Sequence, residues 1–236
     1  MEEPGHSPTA SQYDKFADVY ADGGPYNALY ERPAMLELLG DVSGLSILDV
    51  GCGSGVLTQL LNDKGASVIG LDGSEAMLKL ARARLGSKVE LRHHDLQQSL
   101  TWLPDESLDR IVASLVMHYL KDWERVLREF RRVLKPSGRF VFSTHHPFAD
   151  FVNFTRPDYF AIEEILDEWG ASDASYQVRF WRRPLSVIVR DLVNAGFVIE
   201  ELAEPRPASL DQLDDRHKQR LMTQPWFLFV AARTAK

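Results

Sequence analysis

The sequence of 236 residues lacks several features that would direct it to a membrane or an oxidising compartment. It has one cysteine, Cys52, which excludes an intramolecular disulfide and a zinc site built from several cysteines. No stretch approaches the roughly 18 apolar residues of a membrane-spanning helix. The first residues are polar and contain no apolar signal region. We therefore expect a soluble, cytoplasmic protein without a membrane span.

Positive charge is also scarce. Lysine and arginine number 27 against 34 aspartate and glutamate residues, which gives a formal net charge of −7 at pH 7. Proteins that bind nucleic acid through its phosphates need a basic surface, so a nucleic-acid partner is not expected. The length is sufficient to bury a full hydrophobic core in one domain. We expect a small molecule as the partner, and a monomer or a homodimer.

The most informative stretch is Ile47–Leu57, in which a short apolar run is followed by glycines at alternate positions. These glycines are Gly51, Gly53 and Gly55, and a helical apolar spacing begins at Leu57. A strand, a glycine turn and a helix allow backbone N–H groups to approach a nucleotide-like ligand, because glycine has no Cβ. The alternative is an ordinary strand-to-helix turn that is rich in glycine.

Strand and helix patterns alternate along most of the chain, which predicts a parallel sheet covered by helices on both faces. The predicted strands are 46–50, 67–71, 89–92, 108–115, 139–144, 197–202 and 226–232. The predicted helices are 13–20, 26–39, 56–64, 74–85, 121–134 and one that begins at Pro184 and ends at Gly196. The division that follows is an N-terminal tail with cap helices (1–44), a ligand-binding core (45–144), an insertion (145–183) and the completion of the sheet (184–236).

The insertion is rich in aromatic residues and has weak periodicity, which is typical of a lid or a pocket wall. A small satellite core under a long loop would have the same composition. Tyrosines of the two N-terminal helices could contribute to the same pocket or pack in the core. The candidate pocket residues are Tyr20, Tyr26, Phe148, Tyr159, Trp169, Phe180 and Trp181.

Two acidic residues narrow the ligand class. The glycine spacing lacks the Gly-Lys-Ser/Thr of a P-loop and differs from the G-x-G-x-x-G of a dinucleotide site. Asp72 closes the second predicted strand, where a carboxylate can accept hydrogen bonds from ribose hydroxyls. Asp95 closes the third strand and could meet an adenine amine, with Leu96 and Met77 on either side of the ring. Taken alone, Asp72 could simply be a helix cap and Asp95 could be a turn residue. Because both end successive strands, together they favour a ligand that is a nucleoside carrying an amino acid.

Four motifs resemble the successive motifs of class I S-adenosylmethionine-dependent methyltransferases. They are Ile47-Leu-Asp-Val-Gly-Cys-Gly-Ser-Gly55, Asp72-Gly-Ser-Glu-Ala-Met77, His94-Asp95-Leu96 and Leu134-Lys-Pro-Ser-Gly-Arg-Phe140. The similarity is greatest to the group that methylates small molecules (type 11, quinone-biosynthesis-like). It implies an α/β, Rossmann-like, doubly wound sheet of seven strands, with the last strand antiparallel between the fifth and the sixth.

The resemblance also implies S-adenosylmethionine as the cofactor and S-adenosylhomocysteine as its product, without a metal. Gly51, Cys52 and Gly53 would line the methionine portion, Ser114 would lie under it, and Tyr13 would reach its carboxylate. Asp72 would hold the ribose. The implied contacts to the adenine are Gly73, Met77, Asp95 and Leu96.

A methyltransferase must align its two substrates, and it needs a base only where the acceptor loses a proton. Histidines follow the fourth and fifth predicted strands, at the sheet edge where α/β sites form. His145, His146 and His118 are therefore the candidate bases, because the unperturbed pKa of histidine, about 6.5, is near the working pH. The alternative for each is a loop histidine bonded to backbone.

The sequence thus predicts an enzyme that methylates an O, N or C nucleophile of a small aromatic or apolar metabolite. A nicotinamide-dependent oxidoreductase on a related sheet is a second interpretation, disfavoured by the glycine spacing and by the absence of a Tyr-x-x-x-Lys pair. A third is a catalytically silent cofactor-binding subunit of a larger complex.

Overall fold

A computed structural model describes residues 13, 14, 17, 24–169, 176–207, 209–211 and 213–235. Most of the first predicted helix, including Tyr20, lies outside the described residues. Within the described part, no helix is long and apolar enough to cross a membrane.

The strands are β1 (Ser46–Val50), β2 (Ser67–Asp72), β3 (Glu90–His93), β4 (Leu108–Ser114), β5 (Leu134–His145), β6 (Glu163–Trp169), β7 (Tyr176–Arg182), β8 (Phe197–Ala203) and β9 (Phe227–Thr234). A seven-stranded sheet has the order β3-β2-β1-β4-β5-β9-β8. The pairs among β1 to β5 are parallel, whereas β9 is antiparallel to both β5 and β8. The predicted fold, with the last strand antiparallel between the fifth and sixth strands of the sheet, is confirmed.

Helices cover both faces of this sheet. They are α1 (Gly24–Tyr26, a π-helical turn Asn27–Glu31, and Arg32–Leu39), α2 (Val56–Asp63), α3 (Glu75–Leu85), α4 (Glu124–Val133), α5 (Pro147–Asn153), α6 (Leu185–Asn194) and α7 (Asp215–Thr223). One core cluster joins α1, α2, α3 and α7 to the sheet, and the other joins α4 and α6 to its opposite face. In α2, α3, α4 and α6, the helices predicted from apolar spacing, the apolar residues lie on the face that the helix buries.

The junction between α4 and β5 differs from the prediction. The Pro136-Ser137-Gly138 segment was expected to separate a helix ending at Leu134 from a strand beginning at Arg139, but β5 already begins at Leu134. Leu134 is fully buried and pairs with Leu108, which extends the strand. Residues 135–138 then face a single residue of β4 and bulge out of the ladder, with Ser137 at a φ of +63°.

The insertion after β5 contains α5 and an antiparallel hairpin of β6 and β7. Along β7 the buried residues alternate at Val178, Phe180 and Arg182. Sequence analysis did not predict this strand because Arg182, a charged residue, occupies one of its buried positions. Its guanidinium is fully buried and donates hydrogen bonds to Glu163 Oε1 and to the Tyr159 carbonyl oxygen. That the insertion acts as a lid or a pocket wall stays a prediction.

Candidate active site

A cavity lies at the carboxyl ends of the parallel strands, where α/β sheets bind their ligands. Its walls come from α1, the β1–α2 turn, the ends of β2, β3 and β4, and the 3-10 turn Met117–Tyr119. All ten predicted cofactor-binding residues lie in its lining: Tyr13, Gly51, Cys52, Gly53, Asp72, Gly73, Met77, Asp95, Leu96 and Ser114. Residues spread over 100 positions of sequence thus meet around one space.

The glycine turn after β1 requires glycine for two separate reasons. Gly51 has a φ of +67°, and a Cβ added to it would lie 2.1 Å from Cγ2 of Val116. Gly53 has a φ of +54°, and an added Cβ there would meet no described atom within 4 Å. Gly51 therefore permits close packing against the β4 side of the cavity, whereas Gly53 leaves the cavity open.

Asp72 connects this turn to the next helix. Its Oδ2 accepts a hydrogen bond from the Gly53 amide at 2.8 Å, and its Oδ1 accepts one from the Ser74 amide at 2.8 Å. Desolvation raises the pKa of the Asp72 carboxyl above its usual value, although both amide bonds oppose the shift. Each carboxylate oxygen retains a second lone pair, so the group can still accept hydrogen bonds from a ligand with hydroxyl donors.

Asp95 makes one hydrogen bond within the protein, and its carboxylate can still accept others. Its Oδ1 accepts a hydrogen bond from the Gln97 amide at 2.9 Å, as expected of a turn residue. The side chain nevertheless borders the cavity beside Leu96, and Met77 lies in the same lining. The turn interpretation and the ligand-binding interpretation are therefore compatible.

The structure adds acidic residues to the cavity that sequence analysis missed. Glu31 reaches it from the π-helical turn of α1, together with Asn27 and Arg32. Asp49 is buried beneath the glycine turn, where its Oδ2 accepts a 2.6 Å hydrogen bond from Thr58. Desolvation, reinforced by Asp72 and Glu31, raises the pKa of Asp49 to about 7. The cavity thus concentrates buried acid and suits a cationic ligand.

The N-terminal segment reaches across the cavity to both sides. The Tyr13 hydroxyl lies 2.5 Å from the Tyr119 hydroxyl on the β4 side. On the β2 side, Asp14 Oδ1 accepts hydrogen bonds from the Ser74 hydroxyl at 2.5 Å and from the Ala76 amide at 3.2 Å. Residues 13 and 14 therefore cover part of the cavity opening.

The three candidate bases lie near one another but outside this lining. The rings of His118 and His145 are stacked with centroids 3.9 Å apart. Desolvation lowers the pKa of His145 to about 4, and desolvation together with His145 and Arg183 lowers the pKa of His118 well below its usual value. Among the described residues, the cavity lining includes Tyr119 but none of the three histidines.

His146 has a different role, because its ring caps α5. Its Nδ1 accepts a hydrogen bond from the Phe148 amide, and its Nε2 lies 2.6 Å from Glu204 Oε1. This placement matches the alternative interpretation of a histidine bonded to backbone. The role of a catalytic base stays a prediction for all three.

The aromatic candidates of the insertion pack around its helix and hairpin. Phe180 is buried against the rings of His145 and His118, and Lys121 Nζ lies 4.8 Å from the ring centroid of Trp181. The Tyr159 hydroxyl accepts a hydrogen bond from the Leu185 amide. Among the described residues, the cavity lining contains none of Tyr26, Phe148, Tyr159, Trp169, Phe180 and Trp181.

Two of the remaining candidates have partners of their own, and Phe148 is about half exposed. Tyr26 stacks on Trp226 in the core cluster on the α1 face, and Trp169 Nε1 donates a hydrogen bond to Asp167. Their contribution to an acceptor pocket is untested by these contacts and stays a prediction. The described ranges contain no group of three or more histidine, cysteine or acidic side chains that could hold a metal ion.

Comparison with known proteins supports the methyltransferase class that the sequence motifs resemble. Residues 48–142 match the family model described as a methyltransferase domain. The chain is 34% identical over 168 residues to a demethylmenaquinone methyltransferase of Symbiobacterium thermophilum, covering 67% of this chain and 66% of that protein. It is 39% identical over 122 residues to the enzyme of that name from Lactococcus lactis, covering 49% and 48%.

Among solved structures, an S-adenosylmethionine-dependent methyltransferase from Mesorhizobium loti is 28% identical and superposes with a TM-score of 0.68. The match covers 89% of this chain and 98% of that one.

The sheet order, the glycine turn, Asp72 at the end of β2 and Asp95 after β3 define a methyltransferase of the doubly wound α/β class. The chain belongs to the class I S-adenosylmethionine-dependent methyltransferases. The residues present fit this cofactor: Asp72 offers acceptors for hydroxyl groups, and the buried acids around Gly53 suit a ligand with positive charge. This assignment excludes the nicotinamide-dependent alternative.

We predict that Gly51→Ala weakens binding of S-adenosylhomocysteine by about tenfold or more, because the new Cβ forces Val116 or the turn to move. Gly44→Ala is the matched control, since Gly44 also has a positive φ (+74°) but would place its Cβ more than 4 Å from any described atom. The affinity of the Gly44→Ala variant for S-adenosylhomocysteine should stay within about twofold of the wild type. Isothermal titration calorimetry measures both, and equal affinities for the two variants would contradict the role given to the turn.

Proposed function

We propose that the protein transfers the methyl group of S-adenosylmethionine to a small aromatic or apolar metabolite of the quinone-precursor type. The accepting atom is an oxygen, nitrogen or carbon of that molecule. The proposal draws on the relatives named for demethylmenaquinone methylation and on the composition of the cavity.

The observation that carries the proposal is the apolar character of the β4 side of the cavity. Leu115, Val116 and Leu120 lie there, next to the paired rings of Tyr13 and Tyr119. Apolar walls with a few polar groups are typical of sites for small organic molecules. The hydroxyls of the two tyrosines could orient a phenol or a quinol, because each can donate or accept a hydrogen bond.

Alignment is the main catalytic contribution of these residues. The cofactor supplies an already activated methyl group, so the protein needs to bring the acceptor to within about 3 Å in the correct direction. The segment of Tyr13 and Asp14 limits the access of water to the cavity. Burial, with Asp72 and Asp49 nearby, raises the pKa of Cys52 well above its usual value, so its thiol stays neutral and does not compete as a nucleophile.

His118 is the candidate base that we propose to examine first. Its Nε2 is buried and has no hydrogen-bond partner among the described residues, although its Nδ1 lies 3.4 Å from the Thr144 hydroxyl. The ring centroid lies 4.3 Å from that of Tyr119, which borders the cavity. Burial, together with His145 and Arg183, lowers the pKa of His118 well below its usual value, so the imidazole is neutral at pH 7 and one ring nitrogen carries no proton.

We also propose that the insertion at 145–183 forms one wall of the route by which the acceptor reaches the cavity. The supporting contact is that β7 packs against the 3-10 turn whose Tyr119 borders the cavity. The protein would act as a monomer or a homodimer, without a nucleic-acid partner.

The substrate class is tested by incubating the protein with S-adenosylmethionine and a panel of acceptors. The panel contains a short-chain demethylmenaquinol, a prenylated catechol and bulk transfer RNA, and mass spectrometry identifies the product. We expect methylation of a quinol or a catechol and no methylation of RNA. Methyl transfer to RNA alone would overturn the proposal.

We expect His118→Asn to lower kcat by about 100-fold at neutral pH, because a general base contributes at least this factor. Affinity for S-adenosylhomocysteine should stay within about twofold, since the ring lies outside the cavity lining. His217→Asn is the control, because His217 is exposed on α7 and pairs with Asp214. A kcat for His118→Asn equal to that of the control would show that His118 is not the base.

A further inference from the structure

Glu31 is a buried acid that the cofactor motifs do not include. It is 1% exposed, yet it borders the cavity at the end of β4. It lies in the π-helical turn of α1, where the Arg32 amide donates to the carbonyl oxygen of Asn27, five residues earlier. Such turns are rare and occur frequently at functional sites. Here the turn brings Asn27, Glu31 and Arg32 to the same cavity.

The carboxyl group of Glu31 is held in place from two strands. Its Oε1 accepts hydrogen bonds from the Ser114 hydroxyl at 2.8 Å and from the Ser143 hydroxyl at 2.6 Å. The Ser143 hydroxyl also accepts a 3.0 Å bond from the amide of Leu115, a residue held at a φ of +53°. Both side-chain bonds to Glu31 within the described part of the chain end on Oε1, so Oε2 can serve a ligand in the cavity.

A buried carboxylate is costly unless a cation or several donors compensate it. Two neutral hydroxyls compensate only in part, and desolvation still raises the pKa of Glu31 above its usual value. Arg32 contributes a favourable charge, and the side-chain hydrogen bonds that Glu31 accepts come from the two serine hydroxyls. A cation in the cavity would complete the compensation.

The cofactor of this enzyme class carries two positive groups, a sulfonium and an α-ammonium. Only the ammonium has N–H donors, and a carboxylate oxygen is their natural acceptor. Ser114 and the glycine turn mark the end of the cavity expected to hold the methionine portion, and Glu31 is bonded to Ser114. We propose that Glu31 is a cofactor-positioning residue that binds the α-ammonium group of the methionine portion, oriented by Ser114 and Ser143.

The proposal does not depend on the acceptor, so its test uses binding rather than turnover. Three ligands are titrated into the full-length protein at pH 8 by calorimetry. S-adenosylhomocysteine carries the ammonium group, its deaminated analogue (the 4-thiobutanoate) lacks only that group, and 5′-methylthioadenosine lacks the whole amino-acid portion.

We expect Glu31→Gln to raise the dissociation constant of S-adenosylhomocysteine about 10- to 100-fold, the usual effect of a hydrogen bond to a charged group. Binding of the other two ligands should change less than about threefold. The glutamine can still accept the bonds from Ser114 and Ser143, so the local structure is retained. Glu37→Gln, at an exposed position of the same helix, should behave as the wild type with all three ligands.

Ser143→Ala provides a second variant in case Glu31→Gln does not fold. It removes a donor that orients the carboxyl group and should weaken S-adenosylhomocysteine about three- to tenfold, again without affecting methylthioadenosine. Equal losses for all three ligands would show that Glu31 only supports the cavity wall. Unchanged binding of S-adenosylhomocysteine with a lowered kcat would place Glu31 on the acceptor instead. Either result overturns the proposal.

Discussion

The hydrogen bond from the Gly53 amide to Asp72 is the contact on which the site depends. It joins the turn after β1 to the end of β2, and the second oxygen of the same carboxyl group receives the amide that precedes α3. Parallel strands place their carboxyl ends at one edge of the sheet, but they do not by themselves set the distance between two turns. Asp72 sets that distance and leaves its remaining lone pairs toward the cavity.

A second constraint is the concentration of acid in this small space. Glu31 and Asp49 are buried and Asp72 is partly buried, and the pKa of each is raised, mainly by desolvation. In a chain with a net charge of −7, this local excess selects a cationic ligand rather than a phosphate. The lining of the same cavity also contains Leu115, Val116 and Leu120, which follow β4 and add apolar surface beside the acids.

The residues that sequence analysis found are those whose position follows from local pattern and sheet geometry. Gly51 directly follows β1 and Asp72 ends β2, and a parallel sheet brings such strand ends together at one edge. Glu31 could not be found in this way, because its position depends on a π-helical turn that has no motif in the sequence. The β6–β7 hairpin was not predicted for a related reason. Its buried position at Arg182 is charged, and the oxygens that compensate this charge belong to residues distant in sequence. The histidines were correctly expected near the strand ends, but the direction of their rings is set by stacking and capping contacts that a sequence pattern does not contain.

The most direct measurement is a crystal structure of the protein with S-adenosylhomocysteine. The account predicts that the ribose hydroxyls bond to Asp72, that the adenine lies between Met77 and Leu96, and that the amino-acid portion points to Ser114. A ligand bound outside this cavity, or one with its adenine at Ser114 and its amino-acid portion at Asp95, would contradict it.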